Sequence, residues 1–175
     1  MPASEGHTPV SWLAEHGVLS PETLCIHAVQ LSEADVWCLA RSGASVAHCP
    51  VSNRAHGHRK APLERLLEAG IRVGIGTDSV VSIGAIDMMA EARAARALAP
   101  SLAAQDVLEL CTLGGARALG LDSEIGSLEP GKWADCTVVR VPPDKITDPA
   151  EGVLATGPSD VRRTLLGGKE VYRPV

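Results

Sequence analysis

Phenylalanine is absent from this chain, and its 175 residues include only one Tyr and three Trp. A core without aromatic bulk has to be assembled from Leu, Val, Ala and Ile, which suits helices layered on a sheet better than an all-β sandwich. No CxxC pair occurs: Cys25, Cys38, Cys49, Cys111 and Cys136 lie far apart among apolar neighbours. Their odd number and spacing predict reduced, mostly buried thiols in a cytoplasmic protein rather than a disulfide framework. No apolar run approaches the roughly 18 residues that would span a membrane. The stretch from Met1 to His7 has neither a basic region nor an apolar segment, so no secretory leader is expected. Basic residues are not in excess either, and the net charge of −5 argues against a generic nucleic-acid surface.

The sequence does contain a regular alternation. Pro9 to His16 reads as a short helix, Thr23 to His27 as a strand, and Ser32 opens a helix that Gly43 ends. Ser32 with Asp35 three positions on is a capping pair. Ala44 to His48 is the next strand, followed by an expected polar loop from Cys49 to Lys60. Pro62 sits in the first turn of a helix carrying Leu63, Leu66 and Leu67 and closed by Gly70. Arg72 to Ser79 is an apolar run that stops on Asp78, and Asp87–Leu98 and Ala104–Leu119 then read as two helices. Strands spaced by helices in this way predict βαβ units and a parallel sheet, hence an α/β fold. After Asp122 the pattern changes to a turn-rich stretch and a strand from Ala134 to Val139. A loop broken by Pro142, Pro143, Pro149 and Pro158 follows, and then a hairpin across Gly167–Gly168. A boundary near Asp122 with a small β appendage is the resulting expectation.

Three predicted strands run out into polar residues: His27, His48 and Asp78. In parallel α/β folds the strand C-termini share one face, so these side chains can converge despite their separation in sequence. Imidazole and carboxylate together can ligate zinc or a similar ion, and they are also acid–base groups. A lone histidine at such a position is commonly only a hydrogen-bonded structural residue. Three strand ends in successive units strengthen the functional reading.

These residues carry a resemblance. Leu24-Cys25-Ile26-His27-Ala28-Val29-Gln30-Leu31-Ser32, Ala47-His48-Cys49-Pro50-Val51-Ser52-Asn53 and Gly74-Ile75-Gly76-Thr77-Asp78-Ser79 together resemble the second half of the amidohydrolase superfamily. The branch they look most like is that of the purine-type deaminases and chlorohydrolases. Within it the likeness is to S-adenosylhomocysteine/methylthioadenosine deaminases and aminodeoxyfutalosine deaminases. Gly126-Ser127-Leu128-Glu129-Pro130-Gly131-Lys132-Trp133-Ala134-Asp135 resembles the point where that family leaves its barrel for a small β-sandwich.

The resemblance implies an α/β fold: the C-terminal part of a (β/α)8 metal-dependent hydrolase barrel, strands six to eight, in residues 1–121. Residues 122–175 would then be strands of the composite β-sandwich. By position, His27 would lie near a metal-bound water and polarise it or shuttle its protons. Asp78 would ligate one divalent ion, zinc or alternatively iron, and accept a proton from the water. His48 and Asn53 would shape the loop or sit beside the substrate, with Arg54 next to them. The family's HxH pair and its further ligand histidine with a nearby glutamate are not found at the expected places. The chain is therefore expected to be a C-terminal portion whose partner is the N-terminal half of the barrel, with incomplete metal binding and no activity alone.

His56-Gly57-His58 is a tempting substitute for the missing pair, but Arg54, Arg59 and Lys60 flank it and would oppose a cation. A solvated loop is the plain alternative. A basic loop meeting an anionic group of the substrate is the intermediate one. Glu91, Arg93 and Arg96 read as a solvated or ion-paired helix face, and Trp12, Trp37 and Trp133 as packing residues. The half-match of Gly74 to Ser79 to a dinucleotide-binding GxGxxG lacks its third glycine and is discounted.

The function so implied is hydrolytic deamination of an adenine-type nucleoside derivative, a small heterocyclic substrate. The alternatives are a non-catalytic remnant or half of a split enzyme, and a related amidohydrolase acting on a C–Cl or cyclic C–N bond. A homo-oligomer is compatible with all of these.

Overall fold

The computed structural model describes residues 6–141, 143 and 148–174. Residues 1–5, read above for a leader, and Pro142 lie outside them. The first sheet has three parallel strands, β1 (Leu24–Ile26), β2 (Ser45–His48) and β3 (Val73–Ile75), in that spatial order. Cys25 pairs with Val46, Val46 with Val73, and His48 with Ile75, so the three strands end at one level. Parallel neighbours need a crossover, and helices supply it. α1 (Pro9–Glu15) precedes β1, α2 (Glu33–Ser42) joins β1 to β2, and α3 (Pro50–Ala55) and α4 (Leu63–Glu68) join β2 to β3.

Local chemistry explains these boundaries. Ser32 caps α2 and shares a reciprocal capping box with Asp35, while Gly43 ends the helix in the left-handed region at φ 72°. Asp35 also accepts from the Thr8 hydroxyl, which ties the cap of α1 to the start of α2. The core is aliphatic: Val36, Leu39, Val46, Leu63, Leu66, Val73 and Ile75 are buried together between helices and sheet. Burying each such side chain stabilises the fold by about 1.5–3 kcal/mol. At the other end of the sheet Arg72 donates from Nη2 to the Pro21 and Gly43 carbonyls, both at 2.7 Å, and so fastens the start of β3 to the loops beside β1 and β2.

Past β3 come α5 (Val80–Ile83), α6 (Met88–Leu98), α7 (Ala104–Cys111) and α8 (Leu113–Leu119). The single helix expected from Ala104 to Leu119 is broken at Thr112, whose φ of −125° and ψ of −94° turn the chain. The turn lays Gly114–Gly115 against β3. A Cβ built on Gly74 would meet the Gly115 Cα at 2.6 Å, and one on Gly114 would meet the Val73 carbonyl oxygen at 2.8 Å. Only glycine allows backbones so close.

The second sheet is antiparallel: β4 (Cys136–Val139), β5 (Val161–Leu166) and β6 (Lys169–Tyr172), with the expected hairpin turn at Gly167–Gly168. Between β4 and β5 the chain returns to the first layer. There α9 (Pro149–Leu154) begins with Asp148 accepting from the Ala150 and Glu151 amides, in a stretch expected to be loop. Leu154 is buried with Ala92, Ala104 and Val107. Arg96 grips Glu151 through two 2.6 Å bonds, and Arg93 donates to the Leu154 and Thr156 carbonyls at 2.7 Å.

Three further expectations need correction. The stretch from Cys49 to Lys60 is not all loop, since α3 occupies its first half. Trp12, Trp37 and Trp133 are exposed rather than packed: Trp12 stacks on His16 and Trp37 lies under Arg41. Of the five unpaired thiols only Cys49 is fully buried, and the other four are partly so. Among the described residues no helix is long and apolar enough to cross a membrane.

The contact between β3 and α8 yields a direct test. Gly74→Ala forces a Cβ into the Gly115 backbone, and overpacking of this kind costs about 1–3 kcal/mol. Denaturant unfolding should show a loss in that range, whereas an unchanged midpoint would mean that α8 is not held against β3 as described.

Candidate active site

The rim at the C-terminal ends of β1 to β3 is where polar chemistry gathers. His27 follows β1 directly, and its amide donates to the Ala47 carbonyl of β2 at 2.8 Å. Beyond β3 the chain runs three residues further to Asp78. Both residues adopt left-handed backbone, at φ 71° and 59°, as do Ala28 and Gln30 at 49° and 59°. For residues with a side chain this region costs about 1–2 kcal/mol each. Such strain clusters at functional sites, where surrounding structure enforces it.

That enforcement is visible at Asp78. The Ser52 hydroxyl donates to Oδ2 at 2.6 Å and the Ser79 amide to Oδ1 at 2.8 Å. These two bonds, the Ser52 bond foremost, hold the carboxyl below the usual carboxylate range, so it stays ionised at neutral pH. His27 Nε2 lies 3.8 Å from Asp78 Oδ2, close enough for electrostatic attraction but too far for a hydrogen bond. Its Nδ1 is buried without a hydrogen-bond partner.

His48 and Asn53 are carried by the end of β2 and by α3, and both are buried beneath the rim rather than open to it. Among the described residues neither His48 ring nitrogen has a hydrogen-bond partner, and the Asn53 side-chain amide also lacks one. Burial lowers the His48 pKa from 6.5 to about 4; a nearby His27 charge adds to this and the His27 main chain opposes it. Arg54 is exposed on the last turn of α3. His56 caps that helix, and the His56 and His58 rings are 5.8 Å apart in the basic loop beyond it.

Two residues of this neighbourhood escaped sequence reasoning. Ser52 was quoted only as part of a motif, yet it contacts Asp78 directly. Glu91, expected on a solvated or ion-paired face, is fully buried on α6, and its Oε2 accepts the Val51 amide at 2.9 Å. Burial raises its pKa, against the Val51 bond and Arg54, with Asp78 and Asp87 adding to the rise. The signal was present in the sequence: Glu91 stands four residues before Ala95, which with Ala92 defines the buried face of α6. Burial, with neighbouring Glu91 and Asp78 reinforcing it, also lifts the Cys49 thiol to about 11, so it is protonated at neutral pH.

The donor chemistry at the rim fits a divalent cation in kind but not in number. Among the described residues no group of three or more His, Cys, Asp and Glu side chains is placed to hold a metal ion, the His56–His58 loop included. A catalytic zinc site takes three protein ligands. Asp78 and His27 lie together at the rim but do not by themselves make such a set.

Residues 2–171 match the amidohydrolase family. A 5-methylthioadenosine/S-adenosylhomocysteine deaminase of Desulforudis audaxviator is 41% identical over 184 residues, which cover 98% of this chain and 42% of that protein. An adenosine deaminase of Xanthomonas campestris with bound zinc is similar in structure, with a TM-score of 0.88 and 34% identity over 96% of this chain and 41% of the other. An atrazine chlorohydrolase of Arthrobacter aurescens complexed with zinc has a TM-score of 0.80 and 30% identity, covering 98% and 41%. The chain thus spans about 42% of the length of the curated relatives it matches.

The buried imidazole sets a pH dependence. Its folded pKa lies below its unfolded value, so between about 4 and 6.5 the unfolded chain binds the extra proton and stability falls as pH falls. The full shift corresponds to a loss of about 3 kcal/mol by pH 4. His48→Gln should flatten that part of the unfolding free energy measured from pH 7 to 4; an unchanged slope would place its origin elsewhere.

Proposed function

The chain belongs to the amidohydrolase family, and on that premise we propose that it contributes to a metal-dependent hydrolase that deaminates an adenine-type nucleoside derivative. In this reading β1 to β3 are the last three strands of a (β/α)8 barrel, residues 1–121 belong to that barrel, and 122–175 are strands of a composite β-sandwich. The observation that carries it is the state of Asp78: a left-handed, ionised carboxylate fixed by Ser52 and Ser79 and facing His27 at the rim.

Asp78 would hold a divalent ion, zinc in this reading and iron the alternative, with further ligands from outside these residues. When bound, such an ion supplies a water acidic enough to ionise near neutral pH. The remaining chemistry belongs to the chain. Asp78 accepts the proton of the attacking water on a carboxylate oxygen, and His27 Nε2 steadies or relays it. A C–O bond forms at the amino-bearing ring carbon, the C–N bond breaks, and ammonia leaves with a proton delivered by a donor outside this segment. His48 and Asn53 shape the floor beneath the substrate. Arg54, exposed at the end of α3, meets an anionic group on it.

The names of the relatives support the substrate class: one acts on methylthioadenosine and S-adenosylhomocysteine, another on adenosine. A second reading, cleavage of a C–Cl bond, is favoured by the likeness to the atrazine chlorohydrolase.

Ammonia and chloride release by the assembled enzyme, offered adenosine-type amines and a chlorinated triazine, separates the two. Ammonia from the nucleosides is expected, and chloride alone would transfer the proposal to the second reading. Asp78→Ala should slow turnover by about 10²–10⁴-fold, the range for loss of a positioned acid–base group. A near-normal rate would remove Asp78 from the site. Residues 1–175 expressed alone should retain less than one zinc per chain after dialysis against a chelator; tight stoichiometric zinc there would overturn the claim that other ligands are needed.

A further inference from the structure

Behind the rim lies a fully buried carboxylate that the reaction above does not use. Glu91 is 0% exposed, and a carboxylate in that setting is expensive unless its bonds hold something in place. Its one hydrogen bond reaches across to another element: Oε2 accepts the amide of Val51 at 2.9 Å. Val51 lies in the first turn of α3, a six-residue helix whose N-cap Cys49 makes no side-chain capping bond. A helix start leaves its first amides without partners inside the helix, so an outside acceptor must take them. Glu91 is that acceptor. One residue further along the same turn, the Ser52 hydroxyl donates to Asp78 Oδ2 at 2.6 Å. The path from α6 to the rim is therefore continuous: Glu91, the Val51 amide, Ser52, Asp78.

We infer that Glu91 is a positioning residue, which holds the first turn of α3 so that Ser52 fixes the carboxylate of Asp78. This rests on the proposed role of Asp78. The geometry explains why a carboxylate sits where Ala92 and Ala95 otherwise line the buried face of α6. An apolar side chain there would fill space but leave the Val51 amide without an acceptor. A short helix with no cap would then be free to shift, and Ser52 would move with it. Asp78 would keep the Ser79 bond on Oδ1 and lose its restraint on Oδ2.

The experiment uses the assembled enzyme with Glu91→Leu, Glu91→Gln, Ser52→Ala and the double variant Ser52→Ala/Glu91→Leu. Amide exchange at Val51 and the rate of zinc release to a chelator are both read. Loss of an outer partner of a metal ligand weakens binding by about 10–100-fold. Glu91→Leu and Ser52→Ala should each speed zinc release on that scale, and the double variant should be no faster than the faster-releasing single. Glu91→Gln, whose amide oxygen still accepts from Val51, should restore most of the loss and protect Val51 from exchange.

A merely structural role for Glu91 would lower stability while its effect on zinc release multiplied with that of Ser52→Ala, and that result would overturn the inference. So would unchanged Val51 exchange in Glu91→Leu, or a Glu91→Gln enzyme as defective as Glu91→Leu. If Glu91→Leu does not fold, the comparison of Glu91→Gln with wild type at Val51 decides. A wild-type enzyme that holds no metal would sink the functional reading alone. In that case Val51 exchange, with the coupling of the two substitutions in unfolding free energy, still decides for or against Glu91.

Discussion

The central strand β2 bears the constraint on which the rim depends. Its Val46 pairs with Cys25 on one side and with Val73 on the other, so a single register aligns three strand ends. In a parallel ladder a one-residue slip would turn every side chain to the opposite face. Here it would lift Val46 and Val73 out of the aliphatic core, and that penalty locks the alignment. The same ladder extends past its regular part: the His27 amide bonds to Ala47 and the Gly76 amide to His48. His27 and the run toward Asp78 therefore leave the sheet already fixed in direction. Their left-handed backbones can then be maintained against intrinsic preference.

Directly below the rim the packing is polar where an economical core would be apolar. His48, Ser52, Asn53 and Glu91 are all buried, and several of their atoms have no partner within hydrogen-bond distance. Each unsatisfied buried polar group costs about 1–3 kcal/mol. A fold that needed only stability would fill this layer with Leu and Ala, as it does a few ångströms away around Leu39 and Leu66. The layer makes physical sense as support for Asp78, with Ser52 the contact between the two.

Most of the sheet was legible in the sequence because its signals are local. Apolar runs with a glycine nearby gave the strands, and Ser32 with Asp35 gave the start of α2 to the residue. Other features were hidden because their cause is distant. α3 has no apolar stripe; Pro50 at its first position and the acceptor on Glu91 make it a helix. α9 looked like a broken loop because prolines read as breakers, although Pro149 behind a capping Asp148 is a normal helix start. The kink at Thr112 follows from the approach of Gly114–Gly115 to β3, which no window of sequence reveals. At the site, His27 and Asp78 could be named from strand ends. Ser52 could not, because its partner is 26 residues away and reached only through the fold. Glu91 was misjudged because charge was taken as a sign of exposure.

Sequence likeness and side-chain geometry converge on Asp78 from independent directions. The likeness depends on motif order along the chain and is indifferent to conformation. The geometry rests on the left-handed backbone and on the hydrogen bonds from Ser52 and Ser79, and it holds whatever the relatives are. A structural carboxylate has no need of a left-handed backbone, because an ordinary conformation can reach a serine hydroxyl equally well. The strain is shared with His27, Ala28 and Gln30, so it marks the rim as a whole rather than Asp78 alone. The Ser52 hydroxyl restrains one Asp78 oxygen and the Ser79 amide the other, with Ser82 a smaller contributor. An acceptor so held, next to an imidazole at 3.8 Å, has the chemistry that the proposed function asks of it, which is to receive a proton or a cation. One carboxylate cannot complete a tetrahedral ion, so under that proposal the remaining ligands come from outside these residues.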